Sequence, residues 1–581
     1  MTNPYVQILQ RINRSSPRGN DKCINHQSEL FVETYLHKYL SKEVLSGKYR
    51  LVLITGCSGD GKTEFIQWLE QWQMNAPFDL QEHPVGRIDW VEKDTRYFCT
   101  LYDAQMTYEE EDQGPEDLLN DNLADFEGEE WDEEPSCYRI FSIDRDHLRR
   151  FLDKNKERYP RLHRCVTPAL DDLSPDQTHA LKEGILVVDL TFRSLVGDIL
   201  REDGLENGCV ISKLIDRLCA DDYWRACESC EVNKFCPILS NIRSLNPKNG
   251  MPVAERLKML LTAFHYRRIF HLTMRDAVSL LVNAFVTDAT CEDIIRERGY
   301  SEYIFPLFYF NRLQTFDGQF GNLLDELDIA SVSAPRVDQR ILSESDLEIN
   351  SRSLPAVAIR EMLNSVRDDA SNGESNGLGK LLASGRKRRI FFEDTFEGTG
   401  SWRELFPYRS FAHFDEIVKK AVAPDTLVPQ LLRAISVRDG LVMEDPSCFY
   451  FTLDSSSERL ATYYRAPIKD FEALLPLPRT IEGHREYLPG YILLRHKSRH
   501  DIALRVNLDI IEHLLFGSSN LPGKPDYSSE LTHRLRVFKE KLESMLELGA
   551  FIIRTENGTV AEISRTGISG GDIRILTEGK A

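Results

Sequence analysis

The chain has 581 residues, 41% hydrophobic and 10% aromatic, a balance that excludes a disordered polymer. Its length exceeds what one core organises, so about two to four domains are expected. No apolar run reaches the roughly 18 residues needed to span a bilayer, and the polar segment Met1–Gly19 lacks an apolar signal core. A cytoplasmic protein with no membrane partner is expected, its twelve cysteines reduced or metal-bound. The net charge of −20 is unevenly spread: fourteen acids and no Lys or Arg lie between Glu109 and Glu134, leaving −6 for the rest.

In chain order, residues 1–29 read as a polar lead-in and Glu29–Leu45 as a helix. Arg50–Thr55 reads as a buried strand, a short apolar run bounded by glycine. The next eight residues, Gly56-Cys57-Ser58-Gly59-Asp60-Gly61-Lys62-Thr63, fit G-x-x-x-x-G-K-[ST] at every fixed position. Gly56, Gly59 and Gly61 let the backbone curl until its amides, those of Ser58 and Asp60 included, face phosphate oxygens. Lys62 adds a mobile positive charge, and the Thr63 hydroxyl is a magnesium ligand. Glu64–Gln73 reads as the following helix, whose positive end faces the same phosphates. ATP with Mg2+ is the expected ligand pair.

A strand at Tyr97–Tyr102 leads into the acidic insert 107–136, read as a mobile loop, with a DNA-mimicking or partner-binding role as the alternative. Tyr138–Leu181 reads as mostly helical, and Gly184–Leu190 as a second buried strand. A magnesium-ordering aspartate is expected at the end of a strand. Asp189 is the first choice because its strand is the more purely apolar; Asp103 is second. Leu190 follows Asp189 where a water-polarising glutamate is expected, which leaves Glu64 or Glu183 as bases, or a nucleotide used mainly as a switch. Arg193 is a candidate phosphate or intersubunit contact.

Cys219, Cys227, Cys230 and Cys236 follow as C-x7-C-x2-C-x5-C. Four thiolates complete a closed tetrahedral site, so structural Zn2+ is expected; an iron–sulfur cluster or free thiols are the alternatives, and Cys209 or a histidine could replace Cys219. Asn241 is a further candidate for sensing the γ-phosphate. Residues 253–287 read as two helices with a turn at His271–Thr273, Thr273 as N-cap and Arg275 in the first turn, where it opposes the helix dipole. Asp368–Gly379 reads as a flexible linker, Arg389–Phe392 as a strand, and Asn557-Gly558 as a hairpin turn. The basic runs Arg386–Arg389 and Arg495–Arg505 are candidate DNA contacts.

Three of these features, SGDGKT in the phosphate loop, the cysteines running into Cys236-Pro237-Ile238, and His271–Asp276, resemble bacterial P-loop, AAA+-like ATPases of antiphage defence loci. The nearest is the ATPase subunit of DNA-phosphorothioation-dependent restriction systems. The resemblance spans about the first 330 residues. It implies an α/β P-loop core (30–250, with the cysteine cluster 219–236), a helical lid (251–340) whose Arg275 reaches the γ-phosphate, and a C-terminal α+β domain (341–581). It also implies an ATPase that acts with other proteins of a defence complex, and with DNA, as a homo- or hetero-oligomer.

Overall fold

The computed structural model describes residues 2–14, 30–74, 88–93, 96–104, 115–171, 175–197, 199–201, 204–206, 209–234, 236–250, 252–267, 271–286, 290–296, 332, 334–343, 377–392, 402–406, 408–420, 423–439, 441, 445–452, 460–476, 486–515, 527–545, 551–555, 560–565 and 571–577. Its first sheet contains β1 (Leu51–Thr55), β2 (Ile88–Lys93), β3 (Arg96–Leu101), β4 (Tyr138–Ile143) and β5 (Ile185–Asp189), in the order β2-β3-β4-β1-β5. The four strands from β3 to β5 are mutually parallel, and β2 folds back antiparallel on β3. The chain is thus α/β with a four-stranded parallel sheet.

The central strand β1 is buried on both faces, as its unbroken apolar run requires. Leu51 and Leu53 enter one core with Cys99, Phe141, Ile185 and Val187. Val52 and Ile54 enter another with Phe65, Leu69, Leu186 and Val188. Three of the parallel strands end together, Thr55 standing level with Ile143 and with Asp189, and β3 ends two residues earlier, at Leu101 level with Phe141. The loop after β1 therefore opens onto a rim where Asp103, Asp144 and Asp189 also emerge.

β4 lies within the stretch expected to be helical. Arg139 masks it: a charge in a central strand breaks the apolar pattern, yet Arg139 is buried, with Nη2 2.7 Å from Asp125 and Nη1 donating to the Cys137 carbonyl at 3.1 Å. Asp125 belongs to the acidic insert, and that insert is where a second expectation fails. Residues 105–114 lie outside the described residues, but 115–136 are folded. A helix at Pro115–Asn122 and a short turn of helix at Ala124–Phe126 bury Leu118, Leu119, Leu123 and Phe126 against the sheet. The acids are matched by cations of the next two helices, Arg145–Lys154 and Pro160–Val166, and their connection: Glu116 with Lys154, Glu127 with Arg158, Glu129 with Arg164. Arg161 stacks on Trp131, 4.4 Å from the ring centroid. Each exposed pair contributes little; the four apolar anchors hold the segment.

The helices expected at 253–287 form at Val253–Arg267 and Met274–Phe285, the second opened by a reciprocal cap between Thr273 and Asp276. They share one core with the N-terminal helix Pro4–Arg14 and with the C-terminal region, whose two antiparallel sheets include the pairing of Phe551–Thr555 with Val560–Arg565 expected around Asn557-Gly558. The turn residues themselves lie outside the described residues, as do 368–376 of the expected linker. Arg389–Phe392 is not a strand: it closes a helix, Gly377–Phe392. Its glycines and arginines hide the helical pattern, and tertiary contacts stabilise it: Gly385 packs against Ile341, and Arg386 pairs with Asp338 at 2.7 Å. Among the described residues no helix is long and apolar enough to cross a membrane.

If the insert is part of the core, Phe126→Ala lowers the unfolding free energy by about 3–5 kcal/mol, read by urea denaturation; a cost near zero would mean that the ring contributes nothing.

Candidate functional site

The loop Gly56–Lys62 joins β1 to the helix Lys62–Trp68. Gly61 is the N-cap and sits at φ 84°, a left-handed conformation that a side chain would resist. Lys62 Nζ folds back over the loop, donating to the carbonyls of Gly56 at 2.7 Å and Cys57 at 2.9 Å. Burial lowers its pKa, while Asp60, Asp103 and Asp144 pull it back up. Thr63 Oγ1 donates to the Tyr102 carbonyl at 3.0 Å, beside Asp103. Ser58 is exposed at the tip of the loop.

Asp60 is the buried centre of the loop. Its carboxylate accepts from the Cys57 amide at 2.7 Å and meets His271 Nε2 at 2.8 Å, and Arg193 Nη2 donates to its carbonyl at 2.7 Å. Arg193 is itself buried and turned toward its own loop, not toward a neighbouring subunit. The contact with His271 comes from the segment that starts the helix Met274–Phe285. A second thread runs alongside it: the Arg275 amide donates to the Gly59 carbonyl at 3.2 Å. The Arg275 side chain is exposed next to the loop. Gly59 lies so close that a Cβ there would stand 3.0 Å from Thr273 Oγ1 and 3.1 Å from Arg275 Cβ.

The C-terminal region reaches the same place. The Ser194 amide donates to the Glu486 carbonyl at 2.6 Å, Arg193 bridges to Tyr487, and Glu486 Oε1 accepts from the Tyr35 amide at 2.6 Å. Burial raises the pKa of the Glu486 carboxyl, with the Arg193 charge opposing it. Nothing in the sequence pattern singled out Glu486 or the pairing of His271 with Asp60, because their partners lie 451 and 211 residues away.

Asp189, first choice for magnesium, is buried at the end of β5. Its Oδ1 accepts from the Thr191 amide and hydroxyl at 3.0 and 2.8 Å, while its Oδ2 stands 2.8 Å from Arg145 Nε as an ion pair without a hydrogen bond. Asp103, the second choice, acts electrostatically on Lys62 and follows the carbonyl that holds Thr63. Asp144 also acts on Lys62 while its Oδ1 caps the helix Arg145–Lys154. Of the two candidate bases, Glu183 precedes β5 at the far end of the sheet and pairs with Arg161. Glu64 is in the first turn after the loop, and burial pushes its carboxyl from 4.5 up to about 7, with Arg193 pulling down. Asn241 is tied to helix packing, donating to the Phe285 carbonyl at 3.3 Å.

The four cysteines do not act as one set. Cys219 is buried, its thiol donating to the Ile242 carbonyl at 3.6 Å, with Asp216 and Asp221 as its charged neighbours. The Asn3 side-chain amide donates to Cys227 Sγ at 3.3 Å, and Cys209 contacts Ser212. Among the described residues no three His, Cys, Asp or Glu side chains stand close enough to hold a metal ion. Of the basic runs, Arg389 is buried, Arg386 pairs with Asp338, Arg495 with Glu472 and Arg499 with Asp501.

Comparison with protein-family models, curated proteins and solved structures gave no match to this chain.

Gly59→Ala adds a Cβ at φ 97° against Thr273 and Arg275; a loss of about 1–3 kcal/mol in stability is expected, measured by thermal denaturation. Glu64 supplies a pH signature. Below about 4.5 it is protonated in the folded and unfolded chain alike, and above about 7 it is ionised in both. Between these values the folded chain keeps a proton the unfolded chain has lost, so this residue makes stability fall as pH rises. Glu64→Gln flattens that part of the stability profile; an unchanged profile would place the Glu64 carboxyl at its ordinary value.

Proposed function

We propose that this chain is an ATP-binding and ATP-hydrolysing protein with an AAA+-like P-loop core, a helical lid and a C-terminal region that reads the nucleotide state. One observation carries the reading. The phosphate-loop motif sits at the C-terminal rim of a parallel sheet; the segment that opens the helix Met274–Phe285 touches that loop through His271 and Arg275, and Glu486–Tyr487 reaches it through Arg193. In this reading the amides of Gly59–Thr63 and the Lys62 ammonium bind the β- and γ-phosphates. Opening Lys62 away from the carbonyls of Gly56 and Cys57 frees it for that role.

The residues fit a magnesium ion bound with the nucleotide. Thr63 and Asp103 would hold it, Asp144 adding negative charge at the rim, and the ion would neutralise phosphate charge during transfer. Asp189 instead positions Arg145. Arg275, exposed beside Gly59, is placed to meet a γ-phosphate once the lid closes. Because Asp60 accepts from His271 and Cys57 together, a phosphate that reshapes the loop shifts the lid helix and, through Arg193, the Glu486 segment.

The biological setting, an ATPase subunit working with other proteins of a bacterial defence complex on DNA, rests on the motif resemblance alone. Two observations bear on it. Arg386 and Arg389 are used inside the fold, so that basic run offers less to DNA than its sequence promised. And no glutamate follows either rim aspartate, since Ala104 follows Asp103 and Leu190 follows Asp189. The second point favours an alternative in which the nucleotide is a switch for a signalling or scaffold protein with negligible turnover.

Steady-state ATP hydrolysis with and without duplex DNA separates the two. The ATPase reading expects turnover that falls about 100-fold or more in Lys62→Ala and rises with DNA. Asp103→Asn is expected to abolish Mg2+-dependent turnover, whereas Asp189→Asn lowers stability through the stranded Arg145. ATP binding without hydrolysis would overturn the ATPase and leave the switch, and the reverse ranking of the two aspartates would return the magnesium to Asp189.

A further inference from the structure

Three successive carbonyls of the phosphate loop are each held by a donor, and one donor differs in kind from the others. The Gly59 carbonyl takes the Arg275 amide at 3.2 Å, and the Gly61 carbonyl takes the Phe65 amide at 3.0 Å. Between them the Asp60 carbonyl is held by a side chain, Arg193 Nη2 at 2.7 Å. The C=O and N–H of a trans peptide point opposite ways, and the chain has no cis bond among the described residues. By drawing the Asp60 carbonyl to one side, Arg193 therefore turns the Gly61 N–H to the other. A cation on the carbonyl also polarises that peptide and strengthens its N–H as a donor.

Arg193 brings a buried charge as well as a donor. Its side chain is 4% exposed, and its ion pair with Asp60 Oδ1 is long, 3.9 Å. That oxygen also meets His271 Nε2 at 2.8 Å. Glu64 and Glu486 are further acidic neighbours, yet neither pairs with Arg193 among the described residues. Arg193 Nε is buried without a hydrogen-bond partner. A guanidinium taken out of water and so loosely countered favours an anion nearby. Its place is set from the C-terminal region: Arg193 bridges to Tyr487, and the Ser194 amide donates to the Glu486 carbonyl at 2.6 Å.

We infer that Arg193 is a positioning residue of the phosphate site, presenting the Gly61 amide to a bound polyphosphate from behind the loop and adding a buried positive charge there. The inference rests on the nucleotide reading of Gly56–Thr63 and deepens it. Lys62 has to leave its own carbonyls to reach a phosphate, whereas Arg193 acts from where it stands. Because residues 486–487 hold Arg193, docking of that segment and phosphate affinity are linked, each favouring the other to the same degree.

The test is calorimetric titration of the full-length chain with inorganic tripolyphosphate, beside Arg193→Met and Arg193→Lys. Arg193→Met loses both donor and charge and is expected to weaken binding about 10- to 100-fold. Arg193→Lys keeps both and is expected to recover most of that loss. A packing role alone would lower the fraction of chain that binds and leave Kd as it was. An unchanged Kd in Arg193→Met, or Arg193→Lys no tighter than Arg193→Met, would therefore overturn the assignment. Hydrogen–deuterium exchange of the natural chain needs no variant to fold: tripolyphosphate is expected to slow the Gly61 and Ser194 amides together. Protection of Gly61 without Ser194 would break the link to residues 486–487. A natural chain that binds neither tripolyphosphate nor ATP would remove the nucleotide reading itself, and this role with it.

Discussion

A carboxylate buried in a loop cannot remain there without partners, and Asp60 is such a group. Taking its charge out of water costs several kcal/mol unless donors replace the lost hydration. Here the carboxylate meets the Cys57 amide of the loop itself and the His271 ring, with the Arg193 guanidinium 3.9 Å away and donating to the Asp60 carbonyl. The requirement that Asp60 be satisfied joins the Gly56–Thr63 loop to the segment that opens the helix Met274–Phe285. The same requirement, passed on through Arg193 to Glu486, joins it to the C-terminal region. The loop is thus the point at which the parts of the molecule meet.

The second constraint is the parallel sheet. Strands that run the same way and end near the same level deliver their terminal residues to one rim, so Asp103, Asp144 and Asp189 emerge near Lys62 without proximity in sequence. Which of them is available is then decided by local partners. Arg145 follows Asp144 and meets Asp189, because β4 and β5 flank β1. A positive side chain two residues beyond one strand is therefore set against the aspartate that ends another. Asp103 follows β3, one strand further out, where the Thr63 hydroxyl meets the preceding carbonyl.

The acidic insert shows how charge density misleads. Dense acids with sparse apolar residues signal a mobile segment when they have only each other for company. Leu118, Leu119, Leu123 and Phe126 are few, but all four point to one side, and the helices beneath supply the arginines and lysine that cancel the repulsion. Counting charges along the chain cannot register cations that arrive from positions 139 to 164.

By itself the sequence determined the elements whose signal is local. The strand Leu51–Thr55, the phosphate loop, the strand Ile185–Asp189, the two helices after Val253 with their Thr273 cap, and the late hairpin all follow from periodicity, glycine placement and capping within a few residues. Only the tertiary structure decided what depends on partners far away. Arg139 is tolerated in a central strand because Asp125 waits for it, and Gly377–Phe392 is helical because Ile341 and Asp338 pack on it. Asp189 has a charged neighbour because Arg145 reaches it. Local chemistry is encoded where it is read. A buried charge or thiol is settled by whatever the fold brings to it.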